Sequence, residues 1–133
     1  MKRVVIDTNG FLRLLLDDIP KQASEIESLL KSAKKGEIEI FLPQIIVFEI
    51  VFALEKYYRL NKKEVLEKVE SLVSIGYINV ESRETFVKSV DLYKNNTISF
   101  VDCFLLNIVE VRQAKLFTFD KKLENLQQSK LKT

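Results

Sequence analysis

A single α/β domain, built on a parallel sheet with helices on both faces, is the fold this sequence predicts. Three observations predict it. Short, apolar, β-branched runs recur along the chain, separated by longer segments with helical spacing. The length of 133 residues suits one compact domain. A composition of 47% hydrophobic and 30% charged residues supplies enough apolar material for a continuous core.

The elements follow in order. Val4-Val5-Ile6 is short and uninterrupted, as a strand buried on both faces should be. Residues 8–16 carry Phe11, Leu12, Leu14, Leu15 and Leu16 and predict a first helix. Pro20 suits the first turn of a second, which ends at Gly36 after Lys34-Lys35. Residues 38–42 are the second strand. Pro43 opens a third helix reaching about Tyr58; its β-branched residues would also suit a strand, but the segment is too long for one. Asn61 with Glu64 forms a cap pair for a fourth helix ending near Gly76. Residues 77–80 read as the third strand and 82–95 as a weakly helical segment. Ser99 starts another helix running to about Gln113. Residues 116–119 read as the fourth strand, followed by a short helix from Asp120. The domain is expected over residues 1–126, with 127–133 a polar, frayed tail.

Composition excludes several kinds of chemistry. There is no histidine, so Ser-His-Asp and Cys-His catalysis and histidine-ligated zinc are excluded. The one cysteine, Cys103, permits no intrachain disulfide and sits in an apolar run, as a buried structural thiol would. A net charge of +2, from 21 basic and 19 acidic residues, is too small to predict a nucleic-acid ligand by itself. The opening meets a charge too soon for a secretory signal, and no apolar run approaches the roughly 18 residues of a membrane span. A cytoplasmic location with no membrane partner is therefore expected.

Chemistry run by carboxylates remains, and four of them stand out by position. Asp7 follows the first strand and Asp120 follows residues 116–119, so both sit where ligands bind in open α/β sheets, beyond the carboxyl ends of strands. Glu49 is the only charge from Ile45 to Leu54, and Asp102 the only one from Ile98 to Val109. An ionised carboxylate among apolar side chains costs several kcal/mol unless paired or bound to a cation. No obvious basic partner accompanies them, although Arg13 and Lys56 are available. One divalent cation would offset all four costs, and oxygen-only ligands suit magnesium or manganese. Each acid also has a structural reading. Asp7 and Asp120 suit N-caps, Asp102 could complete a capping box with Ser99, and Glu49 could lie on an exposed helix edge.

The motifs together resemble PIN-domain ribonucleases, especially the VapC-type toxins. Val5-Ile6-Asp7-Thr8-Asn9, with Phe11-Leu12-Arg13 and Asp17-Asp18, is similar to their opening. Glu49, in Phe48-Glu49-Ile50-Val51-Phe52-Ala53-Leu54, matches their isolated mid-chain glutamate. Ser99-Phe100-Val101-Asp102-Cys103-Phe104 matches the helix with an early aspartate, and Phe117-Thr118-Phe119-Asp120-Lys121-Lys122-Leu123 matches the closing segment. Cys103-Phe104 departs from the smaller residues usual there, which bears on packing. Gly10 in the first helical turn lowers helix propensity but is tolerable.

The resemblance implies a three-layer α/β/α sandwich around a mainly parallel sheet of four to five strands. It implies magnesium or manganese in an acidic pocket and endonucleolytic cleavage of RNA. Asp7 and Asp102 would be the principal metal ligands, with Glu49 and Asp120 completing the cluster. Thr8, Asn9 and Thr118 are candidates to orient water or a carboxylate, although ordinary cap or turn roles suit them as well. A homodimer and a cognate antitoxin are the implied partners. RNA would be gripped outside the pocket by lysines such as Lys34-Lys35, Lys62-Lys63 and Lys121-Lys122, although these read first as solvated helix-end charges and only second as RNA contacts.

The alternatives are a silent binding module of the same fold, or an RNA-processing nuclease without an antitoxin. A phosphatase with an aspartate nucleophile is disfavoured, because Asn9 stands where its second acid would be. A phospho-acceptor domain would want adjacent early acids and a late lysine, which this chain does not clearly supply.

Overall fold

The computed structural model describes residues 2–131. Contacts divide the chain into two compact units, Met1–Arg83 and Glu84–Thr133. In the first unit β1 (Lys2–Val5), β2 (Ile38–Leu42) and β3 (Ile78–Val80) form a wholly parallel sheet in the order β1-β2-β3. Val4 pairs with Ile40, and Ile40 with Ile78, so apolar side chains line up across the sheet. Parallel strands need long crossovers. Here α1 (Thr8–Leu16) and α2 (Pro20–Lys34) make the first, while α3 (Gln44–Phe52) and α4 (Lys62–Val73) make the second.

Local chemistry explains where these helices start and stop. Pro20 occupies the first turn of α2, where its missing N–H costs nothing. Gly36 follows the helix in the left-handed region (φ 80°) and donates its N–H to the Ala33 carbonyl. The predicted cap of α4 is present as a reciprocal pair. The Glu64 N–H donates to Asn61 Oδ1 at 2.9 Å, and the Asn61 N–H donates to Glu64 Oε1 at 3.3 Å. Asn61→Ala should therefore lower stability by about 1 kcal/mol, read from the urea midpoint; an unchanged midpoint would show the cap to be idle.

Helix α3 continues as a π-helical segment, Ala53–Tyr57, so the helical path reaches Tyr58 as the sequence predicts. The Tyr58 N–H reaches back to the Ala53 carbonyl at 2.9 Å, closing the wider turn. The Tyr58 hydroxyl then accepts a 2.7 Å hydrogen bond from Arg13 Nη2. Phe11, Ile40, Leu42, Val47, Ile50 and Leu54 are fully or almost fully buried and form the centre of this unit's core.

The second unit is helical: α5 (Arg83–Asn95, beginning at the last residue of the first unit), α6 (Phe100–Val111) and α7 (Lys121–Leu131). Phe86 stacks on Phe100 at 6.2 Å and touches Phe104 at 4.9 Å, while Tyr93 meets Phe100 edge-on at 5.7 Å. Asn107, buried in this apolar setting, is satisfied on both sides. Its Nδ2 donates to the Cys103 carbonyl (3.0 Å) and the Ser89 hydroxyl (3.3 Å), and its Oδ1 accepts from Lys130 Nζ at 2.7 Å. Lys130 also pairs with Glu110 at 3.3 Å, which fastens the end of α7 to α6.

The parallel α/β organisation matches expectation, with one correction. Four to five strands were expected, and the described residues form three. Residues 116–119, read as the fourth strand, take no regular structure. The Gln127 side chain donates to the Leu116 carbonyl at 3.0 Å and accepts its N–H at 2.8 Å. It thus takes both backbone groups of Leu116. Phe117 and Phe119 are 82% and 91% exposed. Gln127 is itself buried, and α7 runs on to Leu131, past the point where the sequence reading ends the domain. Lys132 and Thr133, the end of the tail expected to fray, lie outside the described residues.

Candidate functional site

Asp7 stands just beyond the carboxyl end of β1, where the chain turns into α1. It is the N-cap of that helix: the Gly10 N–H donates to Asp7 Oδ1 at 2.8 Å. The close fit depends on Gly10. A Cβ built there would lie 2.5 Å from Ile6 Cγ2 and 3.4 Å from Asp7 Oδ1. Gly10, tolerable by helix propensity, is required here because only a residue without Cβ clears Ile6. Thr8 and Asn9 are the first two helical residues, the one half-buried and the other exposed.

Glu49 lies on α3, the helix against which α1 packs. It is exposed, on the same edge as the exposed Ile45 and Phe52. Arg13, a possible partner for the acids from sequence, is instead occupied by Asp18 (3.1 Å) and Tyr58, and Lys56 is exposed.

Asp102 and Asp120 belong to the second unit. Asp102 is half-buried in the first turn of α6, and its N–H donates to the Ser99 hydroxyl at 3.1 Å. That is one half of the capping box considered from sequence. Asp120 precedes α7 and caps it, accepting the Leu123 N–H on Oδ1 at 3.1 Å. Its own backbone N–H donates to Thr118 Oγ1 at 3.0 Å, a turn contact that leaves the carboxylate untouched. Lys122, in the first turn of α7, donates to Thr97 Oγ1 in the loop leading to α6.

The electrostatic premise drawn from sequence needs correcting. Asp7, Glu49 and Asp120 are exposed and Asp102 is half-buried, so the cost of a charge sealed among apolar side chains does not arise. The apolar neighbours in the chain point elsewhere around each helix: Ile50 and Val51 are buried while Glu49 is not. The two caps each use only Oδ1, leaving the second carboxylate oxygen unengaged. The Glu49 and Asp102 side chains have no hydrogen bond or ion pair among the described residues. Four carboxylates with unengaged oxygens are a donor set chemically suited to a hard divalent ion. No three acidic or cysteine side chains gather as a group that could hold one among the described residues.

No helix among the described residues is long and apolar enough to cross a membrane. The family model for the PIN domain matches residues 4–128, a span that includes all four acids and parts of both units. The chain is also similar to a VapC ribonuclease of Aquifex aeolicus (strain VF5), with 27% identity over 99 residues, 74% of this chain and 73% of that protein. The order of the four acids, the parallel β-helix-β crossovers and the extent of the match agree: the chain belongs to the PIN domain family.

Proposed function

We propose that this protein is a divalent-metal-dependent endoribonuclease that hydrolyses RNA phosphodiester bonds, and that it is the toxin of a toxin–antitoxin pair. The observation that carries the reading is that the matched span holds all four acids and that none is consumed by structure. The similarity to a VapC ribonuclease supports RNA as the substrate class and a small antitoxin protein as partner. A homodimer and a cytoplasmic setting belong to the same proposal.

Asp7 and Asp102 would be the principal ligands for magnesium or manganese, and Glu49 and Asp120 would complete the set. When bound, the ion supplies Lewis-acid charge to the phosphoryl group. This chain's residues do the rest. Asp7 and Asp120 are held by their caps, so their second oxygens keep a defined direction. Asp120 or Glu49 accepts the proton of the attacking water as it adds to phosphorus, and the leaving ester oxygen takes up a proton from solvent. Exposed lysines, among them Lys34, Lys35, Lys63 and Lys121, contact phosphates outside the reacting centre.

Purified protein should cut a single-stranded RNA in millimolar magnesium or manganese, lose that activity with EDTA and regain it when the metal is restored. Four unneutralised carboxylates repel a polyanion, so the loss should be essentially complete. Cleavage at full rate in excess EDTA would overturn the metal assignment.

A further inference from the structure

Resting on the reading of RNA as substrate, we propose that Phe117 and Phe119 form a stacking platform for the unpaired bases of single-stranded RNA, and that the cavity beside Phe117 receives one of them. Of the large hydrophobic side chains among the described residues, these two are the most exposed. They lie edge to face with ring centroids 5.2 Å apart, an arrangement that leaves ring faces open to solvent. Exposure alternates along the segment: Lys115, Phe117 and Phe119 are exposed, while Leu116 and Thr118 between them are half-buried. The inward residues are fixed, Leu116 through both of its backbone groups on the Gln127 side chain and Thr118 through the Asp120 N–H. A pinned segment therefore presents the rings, which lowers the ordering cost of binding.

The ligand class follows from the charges and the cavity. Residues 112–122 carry four exposed cations, Arg112, Lys115, Lys121 and Lys122, and one acid, Asp120, in a chain whose net charge is only +2. A basic flank beside open aromatic faces suits a single strand, because cations track the phosphates while rings stack on the bases. A protein partner fits poorly, since the lysines beside the rings would be buried with them and interface cores are depleted of lysine. The cavity has a volume of about 300 Å³, at the lower end for a small-molecule site. Leu116 and Phe117 give it an apolar wall, and Glu124 and Gln128 supply a carboxylate and an amide that can hydrogen-bond the edge of a base. In a duplex the base faces are stacked and the pairing edges used, so the platform selects unpaired strands.

The chain contains no tryptophan, so Phe119→Trp places a single fluorescent reporter on the platform. Binding is measured with the full-length protein in EDTA, because the platform needs no metal, using a labelled oligoadenylate and, for comparison, its duplex with oligouridylate. Phe119→Trp should bind the oligoadenylate at least as well as the parent, and its indole emission should be quenched as bases stack. Phe117→Ala and Phe119→Ala should each weaken that binding about tenfold, within the range for one ring stacking one base. Phe119→Leu should lose nearly as much, since leucine keeps apolar surface but no ring. Duplex affinity should be the same in all variants, and thermal midpoints should barely move because both rings are exposed. Parental affinity in both alanine variants, no quenching, or full affinity in Phe119→Leu would overturn the inference. So would alanine variants that keep RNA affinity and change the sedimentation mass, which assigns the rings to a protein contact. In each of these cases RNA cleavage by the parent in magnesium leaves the nuclease reading standing. A parent that neither binds nor cuts RNA overturns both. A parent that cuts nothing, in a series that shows the quenching and the tenfold losses, supports the platform and overturns the proposed activity alone.

Discussion

Asp7→Asn is expected to lower RNA cleavage by about a hundredfold or more while leaving the fold intact. The size follows from removing a charged group preorganised for the reacting centre, where the loss of one such contact commonly costs that much in turnover. The control is built into the substitution. Asparagine is as good an N-cap as aspartate, and its Oδ1 can still accept the Gly10 N–H. The start of α1 should survive, and the thermal midpoint should stay within a degree or two of the parent, by about that margin. Cleavage and Mn2+ binding should fall together. Cleavage at the parental rate by a well-folded Asp7→Asn protein would remove Asp7 from the reaction. Lost cleavage with a collapsed midpoint would instead assign it to structure.

Gly10→Ala should destabilise the protein by up to about 2 kcal/mol, opposite in sign to what helix propensity alone predicts. Alanine in place of glycine in an exposed helix gains about 1 kcal/mol. Here the added methyl would lie 2.5 Å from Ile6 Cγ2, and overpacking of that kind costs about 1–3 kcal/mol. Ile6 is buried and β-branched, so its Cγ2 cannot simply swing away. The α1 start must shift instead, moving the turn that carries Asp7. Urea denaturation should show the loss. Ile6→Leu combined with Gly10→Ala should recover part of it, because leucine has no methyl branch at Cβ. A Gly10→Ala protein as stable as the parent would mean that the contact relaxes at no cost.

The same pair of residues shows how far sequence reasoning reached. The place of Asp7 at the end of β1 and its cap role were legible because it closes a β-branched run and opens a helical one. Gly10 was not, since its neighbour Ile6 is brought against it only by the turn between them. The cap of α4 was legible down to its two residues, because Asn61 and Glu64 satisfy each other within a single turn. Residues 116–119, expected as a fourth strand, take no regular structure. What decided that segment was Gln127, eleven residues past Leu116 and on a different element.

The kind and order of the helices and the parallel crossovers can be read from the chain alone. These depend on hydrophobic period, caps and the ends of strands, which act over a few residues. Only the tertiary structure decided that Glu49 meets solvent, that Arg13 is taken by Asp18 and Tyr58, and that Leu116 bonds to Gln127. In each case the deciding group is a neighbour in space, such as Tyr58 for Arg13 and Gln127 for Leu116. A hydrogen bond or a solvent boundary is set by the partners that folding delivers, and no local pattern specifies them.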